Sequence, residues 1–345
     1  MKAGVLEEVE RLVVKDVPDP QPDEGSVILR VKLCSICGSD LRTYHYGHSR
    51  VTLPQILGHE IAGQIEAVGE EVKNYRLGDR VAVTPRISCG ECFYCQKGQY
   101  TYCLNNLSIG YQLPGGYAEC LSVPRRGVEF GVVNKIPDGV SFEAGALAEP
   151  LACCLRAQRA SAVSRGDAVV IVGGGPVGII HARLARVNGA GRVILVERET
   201  GRLERVDLGS IDRVVDSERG DVEPEILALT GGGGADVVIV ACSSAEAQEQ
   251  ALSLARKGGR VNFFGGLPPG RSEISIDSNL LHYSEISLQG THGSAPDDNR
   301  EALDMLAREL MKVDDLITHR FPLDLIGDAF LFAESRKGMH VAVLP

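Results

Sequence analysis

Val169-Val170-Ile171-Val172-Gly173-Gly174-Gly175-Pro176-Val177-Gly178 is the stretch that decides the fold. Four apolar, β-branched residues make a strand buried on both faces. The glycines follow as G-x-G-x-x-G, ending that strand and opening a helix over residues 176–188. Gly173 makes the tight turn and Gly175 lets backbone approach a pyrophosphate. Gly178 lets helix and strand pack closely, and Pro176 and Val177 start the helix whose N-terminus faces the phosphates. The next apolar run, 193–196, ends in Glu197, 19 residues past Gly178. An acid there binds the adenosine ribose hydroxyls and disfavours a 2′-phosphate. Arg198, beside it, suits a 2′-phosphate instead or is a solvated surface charge. NAD is therefore preferred over NADP.

The same texture extends on both sides. Strands are expected at 168–172, 193–196, 213–215, 237–240, 260–264 and 286–289, with helical stretches between most of them, the pattern of a parallel sheet covered on both faces. Before residue 140 the chain reads as short strands and turns (27–33, 61–68, 80–83, 117–123). Residues 144–163 are helical. The tail holds helices at 297–311 and 323–335 and a closing apolar strand at 341–344. The fold class is α/β, with a β-rich body beside a doubly wound parallel sheet.

Composition narrows the function. The 345 residues carry 36 Lys and Arg against 46 Asp and Glu, a net charge of −10. An acidic surface repels phosphate backbones, so no nucleic-acid partner is expected. No run of 18 apolar residues exists, so no membrane span is expected. The first ten residues lack the basic-then-apolar pattern of an export signal, which points to the cytoplasm. The 40 glycines exceed the usual ~7% and suggest many tight turns. In that setting ten cysteines are thiols and metal ligands rather than a disulfide framework.

Cys89, Cys92, Cys95 and Cys103 form C-x2-C-x2-C-x7-C. Short loops of this kind set four thiolates around one tetrahedral centre, and a zinc closed by four cysteines is structural. An iron–sulfur centre uses the same ligands. A second set is scattered: Cys37-Gly38-Ser39-Asp40 in the loop after the 27–33 strand, Gly58-His59-Glu60 before the 61–68 strand, and Glu149-Pro150 at the start of the first long helix. Thiolate, imidazole and carboxylate are all zinc ligands, and three of them leave a position open for catalysis. Cys34, three residues before Cys37, also reads as half of a redox pair or as a packed thiol. Cys153 and Cys154 read as helix-packing residues.

These motifs, with Gly115-Gly-Tyr-Ala-Glu and Glu149-Pro-Leu, occur in one order along the chain. Together they resemble the zinc-dependent medium-chain dehydrogenases, in particular the sorbitol and threonine dehydrogenase branch, essentially end to end. The resemblance implies a chaperonin-10-like (GroES-like) catalytic domain from residues 1–148 and 292–345, with a Rossmann NAD(P)-binding domain over 149–291. It implies catalytic zinc at Cys37, His59 and a glutamate, Glu60 or Glu149, and structural zinc at Cys89, Cys92, Cys95 and Cys103. It makes Ser39 the acceptor of the substrate proton, Asp40 the acid that orients His59, and Arg202 a basic residue near the adenosine ribose. Glutamate at 149 points to polyols and sugars.

Where many members carry a relay histidine this chain has Arg42, with His45 and His48 nearby, so proton exit through Glu60 and water is the alternative. The substrate pocket is expected around Thr43, Tyr44, Tyr111 and residues 291–294. Arg42, His45, His48 and Arg50 suit an anionic substrate or make a solvated loop. The implied activity is reversible hydride transfer between a secondary alcohol (polyol, sugar, cyclitol or sugar phosphate) and NAD(P), giving the ketone. A threonine-type amino-alcohol dehydrogenase and a zinc-free NADPH quinone reductase are the alternatives. The partners implied are a small-molecule alcohol or ketone and further copies of the chain, as a homodimer or homotetramer.

Overall fold

A computed structural model describes residues 1–345, and its contacts divide the chain into two units: Met1–Ala152 with Gly293–Pro345, and Cys153–His292. In the second unit six strands form one sheet, in the spatial order Arg213–Asp216, Arg192–Glu197, Ala168–Val172, Ala235–Val240, Ala255–Phe263, Ser287–Gly290. Every neighbouring pair is parallel. Numbered along the chain, this is the 3-2-1-4-5-6 order of a doubly wound Rossmann sheet. The direction of winding reverses beside Ala168–Val172, so the Gly173–Gly178 turn lies where such sheets bind nucleotides. Val169, Val170 and Ile171 are fully buried, as their unbroken β-branched pattern requires.

The first unit is β-rich. Its larger, seven-stranded sheet runs Val133–Lys135, Arg80–Val83, Glu60–Val68, Val27–Ser35, His340–Leu344, Ile317–Pro322, with Cys120–Val123 also pairing Val27–Ser35. Val27–Ser35 is thus the hub. It pairs antiparallel with Glu60–Val68, placing Ser35 opposite Glu60, and with the C-terminal strand, placing Ser35 opposite Ala342. The C-terminal tail thus returns to complete the sheet begun by residues 27–83.

Some local expectations change. Cys37-Gly38-Ser39-Asp40 is not loop: Gly38–Tyr46 is a helix with Cys37 as N-cap, and the Cys37 N–H donates to Asp40 Oδ2 at 3.1 Å. Glycine at the first helical position hides this start from a propensity reading. The 144–163 helix is two, Phe142–Ala146 and Ala148–Ala160. Lys2–Glu8 and Arg11–Asp16 form a hairpin that no turn signal announces, since Glu10 takes positive φ without being glycine or asparagine. No helix is long and apolar enough to cross a membrane.

Candidate active site and metal centres

Two groups of side chains converge as metal ligands do. The first is local. The thiols of Cys89, Cys92, Cys95 and Cys103 all lie within 4.8 Å of one another, with Cys89 Sγ and Cys95 Sγ 3.9 Å apart. Tetrahedral zinc with ~2.3 Å bonds to sulfur separates its ligands by about 3.8 Å. Backbone N–H groups point at the sulfurs: Cys89 N donates to Cys103 Sγ at 3.1 Å and Cys92 N to Cys89 Sγ at 3.3 Å. Such donors hold thiolate, and those from Leu104 and Cys95 draw the Cys92 thiol down to about 6. Burial pushes Cys95 the other way, to about 12. A cation among the four sulfurs satisfies both, so the residues fit zinc.

The second group is assembled from distant segments. Cys37 caps the Gly38–Tyr46 helix, and His59 and Glu60 open the Glu60–Val68 strand. Their ligand atoms also lie within 4.8 Å of one another. Gly110 lets the Tyr111 loop close over them: its φ is +79°, and a Cβ there would stand 2.7 Å from the Gly58 carbonyl oxygen.

His59 and Glu60 are each held from behind. Asp40 is buried, accepts from Tyr117 Oη at 2.8 Å, and places Oδ1 3.3 Å from His59 Nδ1. That last contact is close enough for ion pairing but off the hydrogen-bonding line, so Nδ1 has charge contact without a directed bond. His59 Nε2 stands 3.3 Å from Ser39 Oγ. Glu60 is 1% exposed. Its Oε2 accepts from Ser35 Oγ and pairs with His340 Nε2 at 2.7 Å, leaving Oε1 for other work.

The electrostatics call for a cation. Burial alone would raise Glu60, but the charge and hydrogen bond of His340, then His59 and Ser35, hold it down near 2. Burial would lower His59, yet Asp40 above all, with Tyr111 and Cys37, carries it well above its ordinary value. Burial and then Glu60 push the Cys37 thiol up. An ionised carboxylate, a cation-seeking imidazole and a thiol reluctant to ionise alone are relieved together by a divalent ion. Sulfur, nitrogen and oxygen are the donor set zinc accepts, so this group fits zinc too.

Glu149 is buried in the first turn of Ala148–Ala160, and the converging trio does not include it. Cys34 is packed in the core, its Sγ 2.7 Å from where a Gly58 Cβ would stand. Cys153 and Cys154 are buried on their helix. Of the expected pocket residues, Tyr111 does flank the centre, its ring 5.6 Å from that of His59. Thr43 instead donates to the Ser39 carbonyl, Tyr44 Oη to the Glu10 carbonyl, and Thr291 Oγ1 to Asn262 Oδ1. Ser294 is buried. His45 lies between Glu10 and Glu334, at 2.9 and 2.6 Å, so it braces the helix rather than extending a relay from Ser39.

The residue that sequence reasoning missed is His340. It stands at the head of an apolar strand, with nothing around it in sequence to mark it. The signal is topological: continuing the Ala342–Ser35 register brings residue 340 opposite residue 37.

In the other unit the glycine turn has its expected form. Gly173 has φ +105°, and a Cβ on Gly178 would stand 1.8 Å from the Gly173 carbonyl oxygen, so only glycine fits. Gly175 caps the Pro176–Val187 helix with no side chain on its first N–H groups, a cradle that fits a pyrophosphate. The Arg202 guanidinium stands 4.0 Å from where a Gly175 Cβ would be. Glu197 ends its strand, buried, and accepts from the backbone N–H of Gly174 and of Glu199. Arg198 is half exposed, 3.5 Å from Glu199.

Residues 23–138 match the alcohol dehydrogenase GroES-like domain and residues 176–308 the zinc-binding dehydrogenase domain. A sorbitol dehydrogenase of Halalkalibacterium halodurans is 32% identical over 335 residues, covering 96% of this chain and 95% of that protein. An L-threonine 3-dehydrogenase of Pyrococcus abyssi is 34% identical over 340 residues, covering 96% and 94%. Among solved structures, a zinc-binding dehydrogenase of Sinorhizobium meliloti bound to NADP superposes with a TM-score of 0.88 at 34% identity, covering 100% of this chain and 99% of that one.

Proposed function

The chain belongs to the zinc-dependent medium-chain dehydrogenases, in their sorbitol and threonine dehydrogenase branch, and from that premise we propose that it oxidises a secondary alcohol of a polyol or sugar with NAD as acceptor. The observation that carries this reading is the convergence of Cys37, His59 and Glu60 in one buried cluster.

We assign catalytic zinc to Cys37, His59 through Nε2, and a glutamate: Glu60 from its place in the trio, with Glu149 as the exchange partner. Structural zinc goes to Cys89, Cys92, Cys95 and Cys103. When bound, zinc would supply Lewis acidity toward a substrate hydroxyl and a nicotinamide would supply the hydride acceptor. The protein's own groups do the rest. Ser39, whose Oγ stands 3.3 Å from His59 Nε2, relays the hydroxyl proton, taking it on Oγ as its own O–H proton passes on to water. Asp40, fixed by Tyr117, holds the His59 ring in position. His340 and Ser35 keep Glu60 ionised and engage its Oε2. Gly173, Gly175, Pro176, Val177 and Gly178 shape the phosphate turn. Glu197 selects NAD by repelling a 2′-phosphate, and Arg202 and Arg198 flank the adenosine end.

A threonine substrate would need a carboxylate for its ammonium group. Asp40 and Glu60 are already committed to Tyr117 and to His340, which favours the polyol reading. Two intact metal-ligand clusters disfavour a zinc-free quinone reductase. We further propose a cytoplasmic homodimer or homotetramer, since a reducing setting suits a chain rich in thiols. Light scattering gives the subunit number.

The test is metal content on protein purified without chelator, with absorbance at 340 nm across polyols, sugars and amino alcohols, using NAD and NADP. About two zincs per chain and NAD-linked polyol oxidation are expected. No turnover from zinc-reconstituted protein would contradict the reading.

A further inference from the structure

In a chain with ten more acids than bases, many arginines find carboxylates, Arg30, Arg125, Arg186, Arg256, Arg260 and Arg300 among them. Arg42 and Arg50 do not. Both are half-buried, and no carboxylate oxygen lies within 4.0 Å of either. Arg50 flanks the candidate active site, and Arg42 lies on the helix that carries Ser39. Arg42 sits three residues after Ser39 on the Gly38–Tyr46 helix, hence on the same face one turn along. The Arg50 guanidinium lies 5.0 Å from the centroid of the Tyr111 ring, the ring that flanks His59.

The arrangement is braced. The Tyr111 carbonyl accepts from Gln55 Nε2 at 2.9 Å. Asn106, with its amide turned to satisfy its neighbours, accepts from Arg50 Nη1 at 3.1 Å. His48 packs edge-on against Tyr111, and its Nδ1 accepts from the Arg50 N–H at 3.1 Å, so its remaining donor is Nε2–H. Burial, then the charges of Arg50 and Arg42, push His48 below its ordinary value. His45, the fourth basic residue of the stretch, is excluded because Glu10 and Glu334 occupy both its nitrogens.

We propose that Arg42, Arg50 and His48 form an oxyanion subsite beside Cys37, His59 and Glu60, and that the substrate is a polyol carrying a phosphate or carboxylate a few carbons from the oxidised hydroxyl. This rests on the dehydrogenase reading above. Two unpaired guanidinium groups with donors in a planar fork match such an oxyanion. The Tyr111 ring, between Arg50 and His59, gives the carbon chain a surface to lie on. Burying unpaired cations on an acidic protein is unfavourable without a ligand, which is why their isolation points to one.

The test has two readouts. Inorganic phosphate is titrated calorimetrically into zinc-loaded wild type, Arg42→Gln and Arg50→Gln. In parallel, kcat/KM is measured for D-glucitol, D-glucitol 6-phosphate and D-gluconate. Phosphate binds wild type and weakens about 10–100-fold in Arg50→Gln, the range for a lost charge-assisted bond. The variants lower kcat/KM for the preferred anionic substrate, chiefly through KM, at least ten times more than for D-glucitol. The phosphate and carboxylate arms show which oxyanion is meant. Turnover of D-glucitol without phosphate binding, or variants that affect neutral and anionic substrates alike, would overturn the subsite and leave the dehydrogenase reading standing. Phosphate binding lost in Arg50→Gln, with no polyol turned over, would keep the subsite and overturn that reading.

Discussion

The four-cysteine lobe and the Cys37–His59–Glu60 centre answer the same chemical problem in opposite ways. The lobe gathers its ligands from residues 89–103, uses one ligand type and closes its coordination sphere. The centre gathers three ligand types from two segments and borrows His340 from the far end of the chain. The lobe's backbone donors serve the thiolates directly. Two of the centre's ligands are backed by buried partners: Asp40 for His59, and Ser35 and His340 for Glu60. A local cluster of one ligand type stabilises structure, whereas a dispersed mixed set can leave a position open and tune each ligand separately.

The sharpest way to break this contrast is to empty the lobe. Cys95→Ser removes a buried ligand from the closed set. We expect loss of one zinc per chain and a large fall in thermal stability, since structural zinc contributes on the order of 10 kcal/mol to its local fold. The other zinc should remain. Metal analysis and calorimetry on one preparation check this, and loss of both zincs would erase the distinction.

Next in size is His340→Gln. The substitution removes the charge that offsets the burial of Glu60, so the carboxyl rises from about 2 toward protonation. Replacing the partner of a metal ligand typically costs about 10–100-fold. Turnover should fall by that factor, with the acid limb of the rate profile moving to higher pH, while lobe zinc is retained. An unchanged profile would make His340 a packing residue only. Tyr117→Phe is milder. It deletes the 2.8 Å bond to a buried Asp40 and should cost about 1.5–3 kcal/mol in chemical denaturation.

Legibility followed the same division. The parallel sheet and the lobe were readable because their signals are local: an unbroken apolar run into G-x-G-x-x-G, and cysteines at fixed short spacing. The trio was readable only through family resemblance, since Cys37 and His59 carry no local mark of their meeting. His340 was not readable at all, because its role exists only once the C-terminal strand pairs with Val27–Ser35. The helix after Cys37 was hidden by Gly38, and the first hairpin by a turn built on Val9 and Glu10. Nor do spacings record that Thr43, Tyr44 and Thr291 give their hydroxyl protons to neighbouring protein groups.

The smallest effect tests how the Ser39 helix is anchored. Hydrogen bonding to Glu10, followed by Glu334, raises His45, with burial opposing. A raised histidine stabilises the fold fully below its unfolded value near 6.5, and that stability is lost as pH rises through the higher folded value. The site is partly exposed, so screening holds the contribution to about 1 kcal/mol or less. Wild type should therefore exceed His45→Gln in stability at pH 5.5 and match it by pH 9. A constant gap across that window would mean that His45 acts by packing.

The contrast between lobe and centre is tested most directly by Cys37→Ser, measured for zinc per chain and for NAD-linked polyol turnover on the same sample. The account predicts that lobe zinc stays, the second zinc is lost or weakened, cofactor still binds and turnover disappears. Near-normal turnover from protein holding only the lobe's zinc would contradict it.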